Sequence, residues 1–193
     1  MKKIFLILCI ALLSSNGFAQ KKKTIAKKTT TTATALPKID NLQVEIKGGN
    51  FQVTINDKGK PADAMIVKAV DASFKPNDCK LSSFMASGVK LYLLTWTEVS
   101  KTTSAAKTED KSTAYSVIYE IVSKKQVYSN YQLTNHITEK VSLGGTSASE
   151  TQEKIRREGF EFVLNPDGTL TQKGKNQQII FTYNKEKMEF GKK

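Results

Sequence analysis

In 193 residues the chain has one histidine, one tryptophan, four prolines and two cysteines, and each scarcity excludes something. A lone histidine, His136, leaves no second imidazole for a metal pair. G-x-S-x-G, H-E-x-x-H, C-x-x-C and a phosphate-cradling glycine loop are all missing. No metal centre, no cofactor and no catalytic residue is therefore assigned. Cys9 sits in an N-terminal apolar run that should leave with its leader, so Cys79 is the single thiol of the body. One thiol makes no intrachain disulfide, which excludes a stapled scaffold. Cys79 is then either a small buried hydrophobe or a link between two chains. Apolar runs are short as well. The longest, Ile4 to Leu13, has ten residues, against about 20 for a membrane-spanning helix. No transmembrane span is expected after removal of the leader.

The start has three parts: Lys2 and Lys3, then the apolar run, then small Gly17 and Ala19 ahead of Gln20. That is the pattern of a secretory signal peptide, residues 1–19, and it implies an exported protein, periplasmic or extracellular. Residues 20–38 hold Lys21, Lys22, Lys23, Lys27, Lys28 and Lys38 among threonines and alanines, with no aromatic side chain. Such a stretch buries too little to offset the entropy of ordering it, and reads as a disordered basic linker. The first five of these lysines form a candidate anionic-surface site, for acidic lipid or polysaccharide. A solvated spacer is the competing reading.

The formal net charge of +12 comes largely from this segment. Every acidic residue follows Lys38, and residues 39–193 carry 22 basic against 18 acidic residues, a net of +4. Export, and the lack of aromatic residues interleaved with basic ones, argue against nucleic acid as a partner.

Residues 39–193 read as a single β-rich domain. The clearest stretch is 89–137, with period-2 alternation in VKLYLLTWTEV and AYSVIYEIV, then a short step at Ser123–Gln126 into a third strand. Alternation of this kind makes one face apolar and the other mixed. Leu42, Val44 and Ile46 should pair with Phe51, Val53 and Ile55 across Gly48-Gly49-Asn50. Two further hairpins are expected, around Asn165-Pro166-Asp167-Gly168 and around Asn184-Lys185. Residues 62–70 fit a short helix or a strand, and 74–85 a loop or short element. The polar stretch 100–113 reads as a hairpin loop. Residues 147–158, with a capping-box start at Ser147, favour a helix over an edge strand. The expected fold is mainly β: an antiparallel meander of about 8–10 strands, as a barrel or a two-layer sheet, with at most one or two short helices.

Tyr92, Trp96, Tyr115, Tyr119, Tyr128 and Tyr131 crowd into the three-strand unit and form the candidate ligand-binding set. Exposed aromatic rings on a sheet stack on sugars or line a pocket. Cross-strand aromatic pairs also stabilise a sheet by ~0.2–1 kcal/mol each with no ligand. A Cys79/His136 nucleophile pair would require only that the two meet in space. The carboxylate pairs Glu150/Glu153 and Glu158/Glu161 look like solvated faces. Together these readings point to an exported, non-catalytic binding or structural protein of the bacterial cell envelope. A barrel holding a small apolar ligand, or an enzyme without a recognisable motif, are the alternatives.

Overall fold

The computed structural model describes residues 36–144 and 148–193. The expected signal peptide, the five-lysine site and Ser147 lie outside the described residues. What is described is strand and turn, without a helix. Thirteen strands fall into three antiparallel sheets, each in sequence order. The first holds β1 (Lys38–Ile39), β2 (Leu42–Lys47), β3 (Asn50–Asp57) and β4 (Lys60–Ala69). The second holds β5 (Asn77–Ala86), β6 (Val89–Thr103), β7 (Lys107–Glu120), β8 (Lys125–Ser142) and β9 (Ser149–Gly159). The third holds β10 (Glu161–Leu164), β11 (Leu170–Lys173), β12 (Gln178–Asn184) and β13 (Glu189–Lys192).

The meander and all three predicted hairpins are present, with Leu42 opposite Ile55, Val44 opposite Val53 and Ile46 opposite Phe51. Neither a closed barrel nor a two-layer sheet results. The central sheet is the middle of three layers. Tyr92, Leu94 and Trp96 of β6, with Val117 and Tyr119 of β7, pack on Leu42, Val44, Phe51, Val53 and Met65 of the first sheet. From the other face, Leu91, Leu93, Ile118 and Val127 pack on Leu170 and Tyr183 of the third. The unbroken run Leu91–Leu94 is buried on both sides, which is why it is apolar throughout rather than alternating with polar residues. The mixed face is covered as well: in β8, which shares this sheet, Asn130 is buried.

The third sheet is pinned to the centre by Gly168. Its φ is +79°, and a Cβ there would overlap the carbonyl oxygen of Met85 and lie 2.9 Å from the Cα of Ala86. Only a residue without a side chain lets this turn rest on β5.

Beyond the layers, β6, β7, β8 and β9 run on as a largely exposed sheet, with Asn135 and Ile137 of β8 buried in it. This overturns the expected loop at 100–113: β6 continues to Thr103 and β7 begins at Lys107. Similarly, the segment expected to be a helix near 147–158 is β9, 62–70 falls largely in β4, and most of 74–85 is β5. The overhang is held by its ladder and by charge pairs both between strands and along β7. Lys101 meets Asp110 at 3.3 Å, Lys107 and Lys111 flank Glu109 at 2.7 and 3.2 Å, and Lys154 bonds Glu139. The two lysines hold the Glu109 carboxyl down to about 2.

Where β7 ends, the Glu120 carboxylate is buried. Burial pushes its pKa up, but bonds donated by the Ser123 hydroxyl, by Ser123 N at 2.6 Å and by Val122 N at 3.0 Å outweigh this. The net effect holds the group below the ordinary carboxylate range. A depressed acid stabilises the fold above its unfolded pKa of about 4.3 and ceases to do so as pH falls through the folded value. Glu120→Gln should therefore flatten the acid limb of the stability curve. Urea titrations at about pH 6 and about pH 3 check this, and an unchanged slope would remove Glu120 from the account.

Candidate functional site

At the end of β9 the chain must leave the central sheet and start the third. Gly159 makes that exit with a φ of +78°, its Cα so close to the Tyr131 carbonyl oxygen that a Cβ would overlap it. The next residue, Phe160, donates its N–H to the same oxygen at 3.2 Å. Asn130, buried in β8, then clamps the two sheets. Its Nδ2 donates to the Phe160 carbonyl at 2.9 Å, and its Oδ1 accepts from Gln172 Nε2 at 2.9 Å.

This clamped corner opens into a cleft of about 1010 Å³. Gln132 of β8 and Ile155, Arg157 and Gly159 of β9 form one side, and the β11–β12 turn from Lys173 to Gln177 forms the other. Phe160 lies between them, its ring 3.3 Å from the position a Cβ on Gly174 would take. Ion pairs occupy many of the charges elsewhere on the body, yet among the described residues none is made by Arg157, Lys173 or Lys175. Glu158 and Glu161 also border the cleft, which the sequence did not lead one to expect. Glu158 is opposite Leu133 and Arg157 opposite Thr134, so the two side chains lie on different faces of β9.

A second hollow, of about 500 Å³, lies between Lys68–Phe74 and Glu98–Val99. Two of its charges, Lys68 and Glu98, are matched to each other. Lys68 Nζ sits 2.9 Å from Glu98 Oε1, which also accepts from Trp96 Nε1 at 2.8 Å. The same ammonium lies 5.1 Å from the Phe74 ring centre and 5.8 Å from that of Tyr115. This cluster holds the first sheet to the second.

The six aromatic residues singled out from the sequence are divided between these layers. Trp96, Tyr115 and Tyr131 stand opposite one another on β6, β7 and β8. Trp96 is 3% exposed and stacks on Tyr115 at 4.8 Å, while Tyr131 is 51% exposed. Tyr92 is buried and donates its hydroxyl to Asp40 at 2.8 Å. Tyr119 is buried and its phenol is pushed up to about 12 by that burial. Tyr128 lies on the other face, among Phe162, Phe181 and Phe190 at 5.7–5.9 Å. No common surface collects all six, and none of them lines the cleft.

Cys79 and His136 do not meet. Cys79 packs against the core shared with the first sheet, and burial pushes its thiol up to about 11, which keeps it protonated and inert. His136 is exposed at the far end of β8, opposite Asp110 and Ile155, on the other face of the central sheet. The cleft residues carried no sequence signal that joins them, because they come from two sheets and meet only in space. No protein-family model matches the chain, and no curated protein or solved structure is significantly similar to it.

Proposed function

We propose that the chain is an exported, non-catalytic binding protein of the bacterial cell envelope, and that its ligand is an acidic, hydroxyl-rich glycan held in the β9/β11–β12 cleft. The observation that carries this reading is the set of three cations, Arg157, Lys173 and Lys175, that border the cleft without an ion-pair partner. Guanidinium and ammonium groups in a concave site favour carboxylate or phosphate. Gln132, Asn176 and Gln177 add amide donors and acceptors suited to sugar hydroxyls, and Phe160 adds an aromatic ring. The separation of Cys79 from His136 supports the non-catalytic part. Export rests on the three-part N-terminus, and the lysines at 21–23, 27 and 28 give a second, looser hold on the same anionic surroundings.

Lys173→Glu together with Lys175→Glu should weaken binding to a uronic-acid polysaccharide by about a hundredfold, at roughly tenfold per charge-assisted contact. Affinity electrophoresis or calorimetry measures this, with a neutral glucan as control. Equal retention of the two polymers, or no loss in the double variant, refutes the reading. Deleting residues 20–35, which leaves β1 and the core contact of Leu36 in place, should separately abolish salt-sensitive adsorption to anionic vesicles while leaving glycan binding in the cleft intact.

A further inference from the structure

The outer edge of β9 has no neighbouring strand among the described residues. The strand runs eleven residues, Ser149–Gly159, and its pairing with β8 shows no register shift. The Tyr131 carbonyl, bonded by Phe160 N, faces the β9 side. Odd-numbered β8 residues therefore direct their backbone groups toward β9, and their partners there are even-numbered. Thr151, Glu153, Ile155 and Arg157 are left with backbone N–H and C=O pointing outward. Proteins usually guard such an edge with charge, proline or a bulge. Here charge is the only guard, and it is arranged symmetrically. Ile155 is 54% exposed in mid-strand, with Glu153 two residues before it and Arg157 two residues after, neither in an ion pair.

We infer that β9 is the interface of a homodimer, in which two copies pair antiparallel about a two-fold axis at Ile155 to form one continuous ten-stranded sheet. In this register Ile155 stands opposite the partner's Ile155, and Glu153 opposite the partner's Arg157, twice over by symmetry. Centring the axis on Lys154 or Arg156 would set that cation against its own copy. With the axis on Ile155, Lys154 faces the partner's Arg156 on the other face, and Glu139 already holds Lys154. The matched Glu–Arg pairs share a face with the cleft, so the partner's Glu153 completes the cleft wall beside Arg157. An arginine has five N–H donors, enough to take that carboxylate and still present donors to a ligand. The dimer does not depend on what the cleft binds, and in it Lys173 and Lys175 remain the unpaired cations of the cleft while Arg157 is shared with the partner's Glu153.

Sedimentation equilibrium of the purified chain should give twice the protomer mass. Glu153→Arg should weaken association by about a hundredfold, since it sets like charges opposite each other at two places. Adding Arg157→Glu to it should restore the dimer by exchanging the partners. Ile155→Cys should give a disulfide-linked dimer on a non-reducing gel, because opposed residues at such a position lie about 5.5 Å apart, within disulfide reach. The native Cys79, half-buried and protonated, supplies a silent background. A wild-type monomer at every concentration reached would overturn the inference. So would a Glu153→Arg dimer of undiminished strength, or an Ile155→Cys variant that does not cross-link.

Discussion

Phe51→Ala is expected to cost about 3–5 kcal/mol, the range for emptying a fully buried aromatic site. Phe51 is 0% exposed. Its ring lies 5.3 Å from Phe74 and 5.2 Å from Trp96, so it joins β3 of the first sheet to β6 of the second. The surroundings cannot collapse into the space left behind, because Trp96 is fixed on its far side by the stacked Tyr115 and by the Glu98 carboxylate. Domains of this size are stable by only about 5–15 kcal/mol in total, so this one change removes about a fifth of the margin or more. In urea the midpoint should fall while the slope stays near wild type, because the surface exposed on unfolding changes little. Val122→Ala, at a side chain 92% exposed, should remain within about 0.5 kcal/mol of wild type. A Phe51→Ala protein losing no more than that control would show that the first sheet is not held through this contact.

How much of this was legible in the residues depends on what each strand buries. The hairpins at 42–55, 161–173 and 178–192 were readable because their strands alternate over a half-buried sheet and their turns carry glycine, proline or asparagine. The layer count was not. Leu91–Leu94 and Val117–Tyr119 are apolar without a break because a sheet lies on each side of them, and alternation is an incomplete description of such a run. The overhang failed in the opposite direction. Residues 100–113 and 149–159 bury little, so they have no apolar period to show, and their strand form is imposed by pairing with β7 and β8. For β9 the helix-forming Glu, Lys, Arg and Gln side chains spoke for the wrong element, and tertiary context overrode them. The aromatic set failed by parity: Tyr128 and Tyr131 are three apart, so one β8 strand sends them to opposite faces. A cleft closed by Arg157 on one sheet and Lys175 on another leaves no local mark at all.

Gly159→Ala brings fold and site into one experiment. A non-glycine residue at a φ of +78° carries a backbone cost of about 1–2 kcal/mol. The overlap of the new Cβ with the Tyr131 carbonyl adds to this, because the neighbour is backbone inside the β8 ladder and not the end of a flexible side chain. The Tyr131 carbon at 3.1 Å and the Gln132 Cα at 3.4 Å close off the sideways escape. Two relaxations remain. Either β8 and β9 part at this end, or Phe160 swings away and strains the Asn130–Phe160 bond that clamps the third sheet. Both move Arg157 relative to Lys173 and Lys175. The substitution should therefore cost more than about 2 kcal/mol and also abolish glycan binding in protein that is still folded. Gly191→Ala, where nothing lies within 4 Å of the added carbon, should change neither. Full stability in Gly159→Ala would mean that the corner is looser than its geometry implies. Lost stability with intact binding would mean that the ligand does not depend on the two sheets being held together, and that the cations act singly.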